Sequence, residues 1–258
     1  MGADSDADVQ RFAVANLRRR PEPVEVGGFV VGVDPATSNP FVNYATPLPG
    51  SEPDPGDVAG MVKAFRDRGL RPRLEFAPLA VPEVEAALRK AGFVVEEEHE
   101  VLLCVPESLA PPSGAAGIDV EVPEADADFR AVDAALSEAF DGEFPPSDEG
   151  VARLKRAQRS GGAVRFVRAD DAVGCAGAGS CSAPAEGTAE IAGIGTRPAF
   201  RGRGIAAAVT AGLAAAMFAE GRARSVWLEY SGDGSRRVYE RVGFRPAGRR
   251  LYMSLPDL

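Results

Sequence analysis

Histidine is almost missing: the single one, His99, stands in "EEEHEV". A histidine triad or a histidine-ligated metal has no material here, and no metal is expected; His99 itself reads as an exposed strand residue among acids. Cysteine is scarce too. Cys104, Cys175 and Cys181 form an odd set without C-x-x-C spacing, so neither a disulfide framework nor a zinc site is expected, and a reducing cytoplasm is the favoured setting. No apolar run reaches the ~20 residues of a membrane span. The longest candidate, Gly204 to Ala219, is alanine-rich, is broken by Thr210 and Gly212, and reads as a buried helix, so no membrane is expected as a partner. The opening "MGADSDAD" is acidic, lacks a hydrophobic signal region and reads as a frayed tail. An excess of positive charge is lacking as well. The net charge of -9 argues against nucleic acid as a partner, because phosphate backbones are held through cations.

What remains is material for packed cores. A chain of 258 residues with 45% hydrophobic and 26% charged residues has room for one large domain or two small ones. "PESLAPPSGAAG", Pro106 to Gly117, is rich in proline, glycine and serine and stands between two patterned regions. It divides the chain into 1–112 and 113–258. The second region reads as helices at Glu124–Phe140 and Asp148–Arg159, strands near Ala163–Arg168, Val173–Ser182 and Thr188–Thr196, and a helix from Gly204. A strand at Ser225–Tyr230, a helix at Ser235–Val242 and a last strand to Leu255 follow. That order predicts an α/β fold with one central mixed sheet.

The charge of this region is uneven. Between Arg197 and Arg250 there are 11 arginines against four acids, Glu220, Glu229, Asp233 and Glu240. They begin in "RPAFRGRGIAAA", which falls between a strand and an apolar helix. At a helix start the first backbone N–H groups have no internal partner and the dipole is positive, so they point at an anion. Gly202 and Gly204 remove side chains that would block a phosphate, and Arg201 and Arg203 add charge. A pyrophosphate is the expected guest. "GRGIAA" also satisfies the G-x-G-x-x-A pattern of dinucleotide-binding folds, with Glu229 near the place of a ribose-binding acid. Yet "RPAF" separates it from its strand, and some 50 residues remain afterwards, too few for the usual six-stranded sheet.

Two motifs in order resemble the GNAT superfamily of acetyl-CoA-dependent N-acyltransferases. Arg201, Gly204 and Ala206 in "RGRGIA" fall on its phosphate motif, preceded by "TRP", and "RRVYERVGFRPAG" resembles its later motif, a helical tyrosine before a Gly-Phe turn. The resemblance covers about Val120 to Leu258. It implies a sheet splayed between its fourth and fifth strands with acetyl-CoA as cosubstrate in the cleft. It further implies that the backbone of Ile194, Gly195 and Thr196 holds the pantetheine arm as an added strand, with Gly193 and Gly195 leaving room. Arg201, Gly202, Arg203, Gly204, Ile205 and Ala206 would hold the pyrophosphate. Tyr239 falls on the family's general acid, a phenol that stays protonated at neutral pH and can reprotonate a CoA thiolate. Glu190, eleven residues before the phosphate motif, is the candidate base for a cationic amine acceptor. The asparagine often found seven residues before the tyrosine is Gly232 here. A homodimer is compatible with this reading, and the alternative to an enzyme is a silent acyl-CoA-binding or scaffolding protein of the same fold.

The first half resembles a second, degenerate copy. Set "LRKAGFVVEEEHEVLLC" beneath "YERVGFRPAGRRLYMSL", and Gly92-Phe93 falls on Gly243-Phe244 and Leu88 on Tyr239; "AFRDRGLRPRLEF" similarly resembles "MFAEGRARSVWLEY". The tyrosine is lost. Where a phosphate loop belongs stands the acidic "PLPGSEPDPGD", so the first half is expected to give shape instead of a second site. The acids at Glu96–Glu100 are expected to draw a cationic amine.

Overall fold

In a computed structural model the described residues are 2–110, 117–142, 145–230 and 232–256, with no side-chain detail at 2–4 and 233. Most of the proline-glycine linker, 111–116, lies outside them. The chain folds as two compact units, Met1–Val101 with Pro246–Leu258, and Leu102–Arg245. The border therefore falls inside a strand, and not in the linker where the sequence suggested it.

The first unit opens on α1 (Gly2–Leu17). The expected frayed tail is thus a helix, and its face explains why: Val9, Phe12, Ala13 and Leu17 are buried, the i, i+3, i+4 stripe of a docked helix. Gln10 locks it with side-chain bonds to Thr46 Oγ1 at 2.9 Å and Pro47 O at 2.6 Å. Strands β1 (Glu22–Val26), β2 (Phe29–Val33) and β3 (Tyr44–Pro47) pair antiparallel in sequence. Helix α2 (Pro55–Arg66) carries the chain over to β4 (Arg73–Phe76), parallel to β3. Helix α3 (Pro82–Lys90) and β5 (Val94–Cys104) follow. The chain's last strand, β10 (Arg245–Ser254), lies antiparallel to β4 and gives Leu251 and Met253 to this unit's core. This is why the final strand, read from sequence as part of the second half, counts with the first.

The second unit repeats the order with one helix more. Helices α4 (Asp126–Ala139) and α5 (Asp148–Arg159) precede the antiparallel strands β6 (Ala163–Arg168), β7 (Cys175–Cys181) and β8 (Thr188–Thr196). Helix α6 (Ile205–Phe218) returns to β9 (Ser225–Tyr230), parallel to β8, and α7 (Gly232–Val242) leads into β10. Each unit is thus a mixed sheet with helices, as the sequence predicted. Phe129, Val132 and Leu154 of α4 and α5 cover one face of β6 and β7. Val209, Leu213 and Met217 of α6 cover the other, with Leu102 and Cys104 from the end of β5 in the same core. Helix α6 is the alanine-rich run singled out in the sequence; no helix among the described residues is long and apolar enough to cross a membrane. The three cysteines are free and buried.

The internal repeat is visible at its joints. Phe93 N donates to Leu88 O and Phe244 N to Tyr239 O, each at 3.1 Å. Gly92 and Gly243 between them have φ +91 and +107, the left-handed turn that ends a helix and that glycine adopts without strain.

Candidate active site

Strand β8 changes face partway along. Its register with β7 shifts between Ala178 and Ser180, so β8 carries one extra residue there. The bulge sits at Gly193, φ +63. Before it Ala189 and Ile191 face the α6 core, and beyond it Ile194 does. Gly195 then faces α4: a Cβ there would stand 2.8 Å from that of Ala139 and 3.0 Å from Leu136 Cδ2. The small size of Gly195 therefore serves helix packing.

The parallel partner leaves at the same place. Strands β8 and β9 are in register only from Thr188–Ser225 to Glu190–Trp227, although β8 continues to Thr196. The sheet splays there, between the third and fourth strands of this unit, and the opening is a cleft of about 540 Å³. One wall is Ile194, Gly195 and Thr196 with Ala139 and Phe140 from the end of α4; another is Arg201, Gly202 and Gly204 to Ala207; the third is Gly234, Ser235, Val238, Tyr239 and Arg241 of α7. Among the described residues two arginines and no carboxylate line it.

The helix start that forms the second wall is built for approach. Pro198 opens a short 3-10 turn, and Gly202 and Gly204 take φ +77 and +84. Gly204 is the N-cap of α6 and offers no side-chain acceptor. The N–H groups of the first helical turn are left to a guest. Arg197 holds the turn from behind, buried and bonded to Glu138 at 2.7 Å, Asp171 at 2.6 Å and Cys175 O at 3.1 Å. Arg201 is fixed on the wall by Thr196 O at 3.2 Å and Ala139 O at 3.0 Å. Arg203 turns away: its guanidinium bonds Ala199 O at 3.0 Å and stacks on Phe200.

Tyr239 projects from α7 with its ring 6.3 Å from that of Phe244. Burial pushes its phenol above the usual value, and no charge counters that, so the hydroxyl stays protonated. Val242 beside it is buried in the core. Gly243 lets the chain turn where any Cβ would run into the Ser108 carbonyl. Helix α7 begins at Gly232, with φ +78, three residues before the expected start, and Gly232 is not part of the cleft wall. Glu190 is not on that wall either. It occupies the last β8–β9 register pair, where the strands part, and its N–H donates to Ser182 Oγ at 3.0 Å.

Ile194, Gly195, Thr196, Arg201, Gly202, Gly204, Ile205, Ala206 and Tyr239 thus meet in one cleft, and Arg203 and Glu190 lie off it. The sequence did not point to Phe140, Ser235 or Arg241, and Val238, expected with Val242 as the core-facing pair of this helix, lines the cleft. Ser235, Val238 and Arg241 follow one another at steps of three along α7. Among the described residues no group of three acids, cysteines or histidines is placed to hold a metal ion.

Residues 129–244 match the family model described as the acetyltransferase (GNAT) family. No protein of curated function matches the chain in sequence. Among solved structures it is similar to a GCN5-related N-acetyltransferase from Kribbella flavida, 24% identical, over 98% of this chain and 96% of that one, TM-score 0.80. A GCN5-related N-acetyltransferase from Sphaerobacter thermophilus is 18% identical over 100% and 95%, TM-score 0.61. A tandem GNAT protein from the clavulanic acid biosynthesis pathway is 13% identical over 100% and 96%, TM-score 0.59.

Proposed function

Because residues 129–244 match the model of the GNAT acetyltransferase family, we propose that this protein is an acyltransferase that moves the acetyl group of acetyl-CoA to a primary amine of a small molecule or peptide. The observation that carries the reading is the single cleft that joins an uncapped helix start, a splayed strand and a protonated tyrosine. The residues fit a CoA thioester: among the described residues the wall holds two cations and no acid, and the position of a Gly202 side chain is open space. Bound there, the thioester supplies the activated acetyl group.

The protein's residues then divide the work. The amide groups at Ile205 and Ala206 take the pyrophosphate, with Gly202 and Gly204 permitting its approach and Arg201 adding charge. The backbone from Ile194 to Thr196 offers hydrogen bonds to the pantetheine amides in the manner of an added strand. Tyr239 Oη delivers its proton to sulfur as the carbon–sulfur bond breaks and the carbon–nitrogen bond forms. Glu190, at the fork of β8 and β9 and off the cleft wall, is the base that accepts the amine's proton through intervening water. The first unit, with Leu88 in the tyrosine's place and buried, is a degenerate GNAT-like half that gives shape. Thiol release over a panel of amines, including aminoglycosides, polyamines and peptides, tests the reading. A protein that binds CoA yet releases thiol with none of them would be the silent acyl-CoA binder, an outcome that the place of Glu190 would then explain.

A further inference from the structure

The arginines about the cleft are not equivalent. Arg197 is spent on Glu138 and Asp171, Arg201 on two backbone carbonyls and Arg203 on Ala199 O. Arg236, on the far side of α7, is held by Glu240 at 2.8 Å. Arg241 lines the cleft and has no hydrogen-bond or ion-pair partner among the described residues. Its neighbour Glu240 is already engaged. It lies three residues after Val238 and seven after Gly234, so it shares their cleft-facing stripe, on the wall facing the α6 start. The cleft therefore offers the uncapped amides of the α6 start on one wall and, among the described residues, an unpaired guanidinium on the other.

A CoA thioester carries a pyrophosphate and, apart from it, a phosphate on the ribose. We propose that Arg241 is a specificity-determining residue that takes the ribose phosphate and so selects CoA over carriers without it. This rests on the reading of the cleft as a CoA site. A guanidinium can grip a phosphate with two parallel N–H bonds, which fixes position as well as charge.

Calorimetric titration with CoA and with 3′-dephospho-CoA separates the claims. The unaltered protein should bind CoA about tenfold more tightly, the order of one charge-assisted contact at an exposed site. Arg241→Gln should lose that preference and leave 3′-dephospho-CoA affinity unchanged, and Arg241→Lys should restore part of it. Equal weakening of both ligands would place Arg241 on the pyrophosphate, and an undiminished preference would remove it from the site; either overturns the inference while the CoA cleft stands. Binding of neither ligand by the unaltered protein would overturn the cleft reading itself.

Discussion

Helices α2 and α6 hold the same place in the two halves, each following three antiparallel strands and leading to a parallel fourth, but their first turns are finished in opposite ways. Helix α2 closes itself: the Asp54 carboxylate accepts from Asp57 N at 2.9 Å and the Asp57 carboxylate accepts from Asp54 N at 3.0 Å, a reciprocal capping box that satisfies two donors. Helix α6 starts at a glycine that satisfies nothing. The helices that follow keep a common design. Glu83, Ala87 and Lys90 of α3 line a hollow of about 440 Å³ in the first unit, and these are the positions that Gly234, Val238 and Arg241 of α7 occupy at the cleft when the two glycine turns are superposed in sequence. One fold thus carries both a self-satisfied and a guest-ready surface, and the choice rests on a few side chains at helix starts.

Acids follow the same division. In the first unit they serve the fold: Glu96 bonds Arg73 at 2.9 Å, Glu98 bonds Arg249 at 2.8 Å, and Glu97 meets His99 at 2.7 Å. Three of the four glutamates expected to attract an amine, Glu96, Glu97 and Glu98, are therefore held internally. His99 is half-buried against Tyr252, 4.7 Å between ring centres, and not the exposed residue expected.

The sharpest test of the contrast exchanges its tyrosine. Tyr239→Phe should lower thiol release by roughly 10²- to 10⁴-fold, the range of a general acid, with CoA affinity nearly unchanged; wild-type turnover would return Tyr239 to a packing role. Next in size, Gly204→Glu should weaken CoA binding on the order of a hundredfold by setting a carboxylate against the phosphates. Circular dichroism would confirm that this variant folds, and Gly204→Asn, which tolerates the left-handed turn, should keep most of the affinity. A titration should give one CoA per chain; two equivalent sites would erase the distinction between α2 and α6. Asp54→Ala should then cost about 1 kcal/mol of stability, as lost caps do, without creating a second site.

The smallest effect concerns pH. Asp6 is buried on α1, where desolvation lifts its carboxyl from 3.8 to about 6 against the opposing Arg249 N–H and charge. A raised folded-state value means that the native protein holds this proton more tightly than the unfolded chain does. Its contribution to stability is present in full below about pH 4 and is lost as pH rises through about 6. Asp6→Asn should therefore flatten the melting temperature across that window and gain most above it.

Much of the second unit could be read from sequence because its signals are local. Helix α5 and strands β6, β8 and β9 fall at the expected residues, since alternation and helical spacing act over a few positions. A left-handed φ at Gly204 or Gly243 likewise needs glycine whatever lies around it. Other features depend on distant partners. The tail "GADSDADVQRFAVANL" became a helix because Thr46, Pro47 and the first unit's core receive it. Strand β10 counts with the first unit because Leu251 and Met253 find their apolar neighbours there. That Arg241 has no partner among the described residues was also a tertiary decision. The sequence determined that arginines crowd residues 197–250; only packing decided that Arg197, Arg201 and Arg203 meet carboxylates and carbonyls while Arg241 is left facing the cleft, because a charge is neutralised by what stands within a few ångströms and not by its neighbours along the chain.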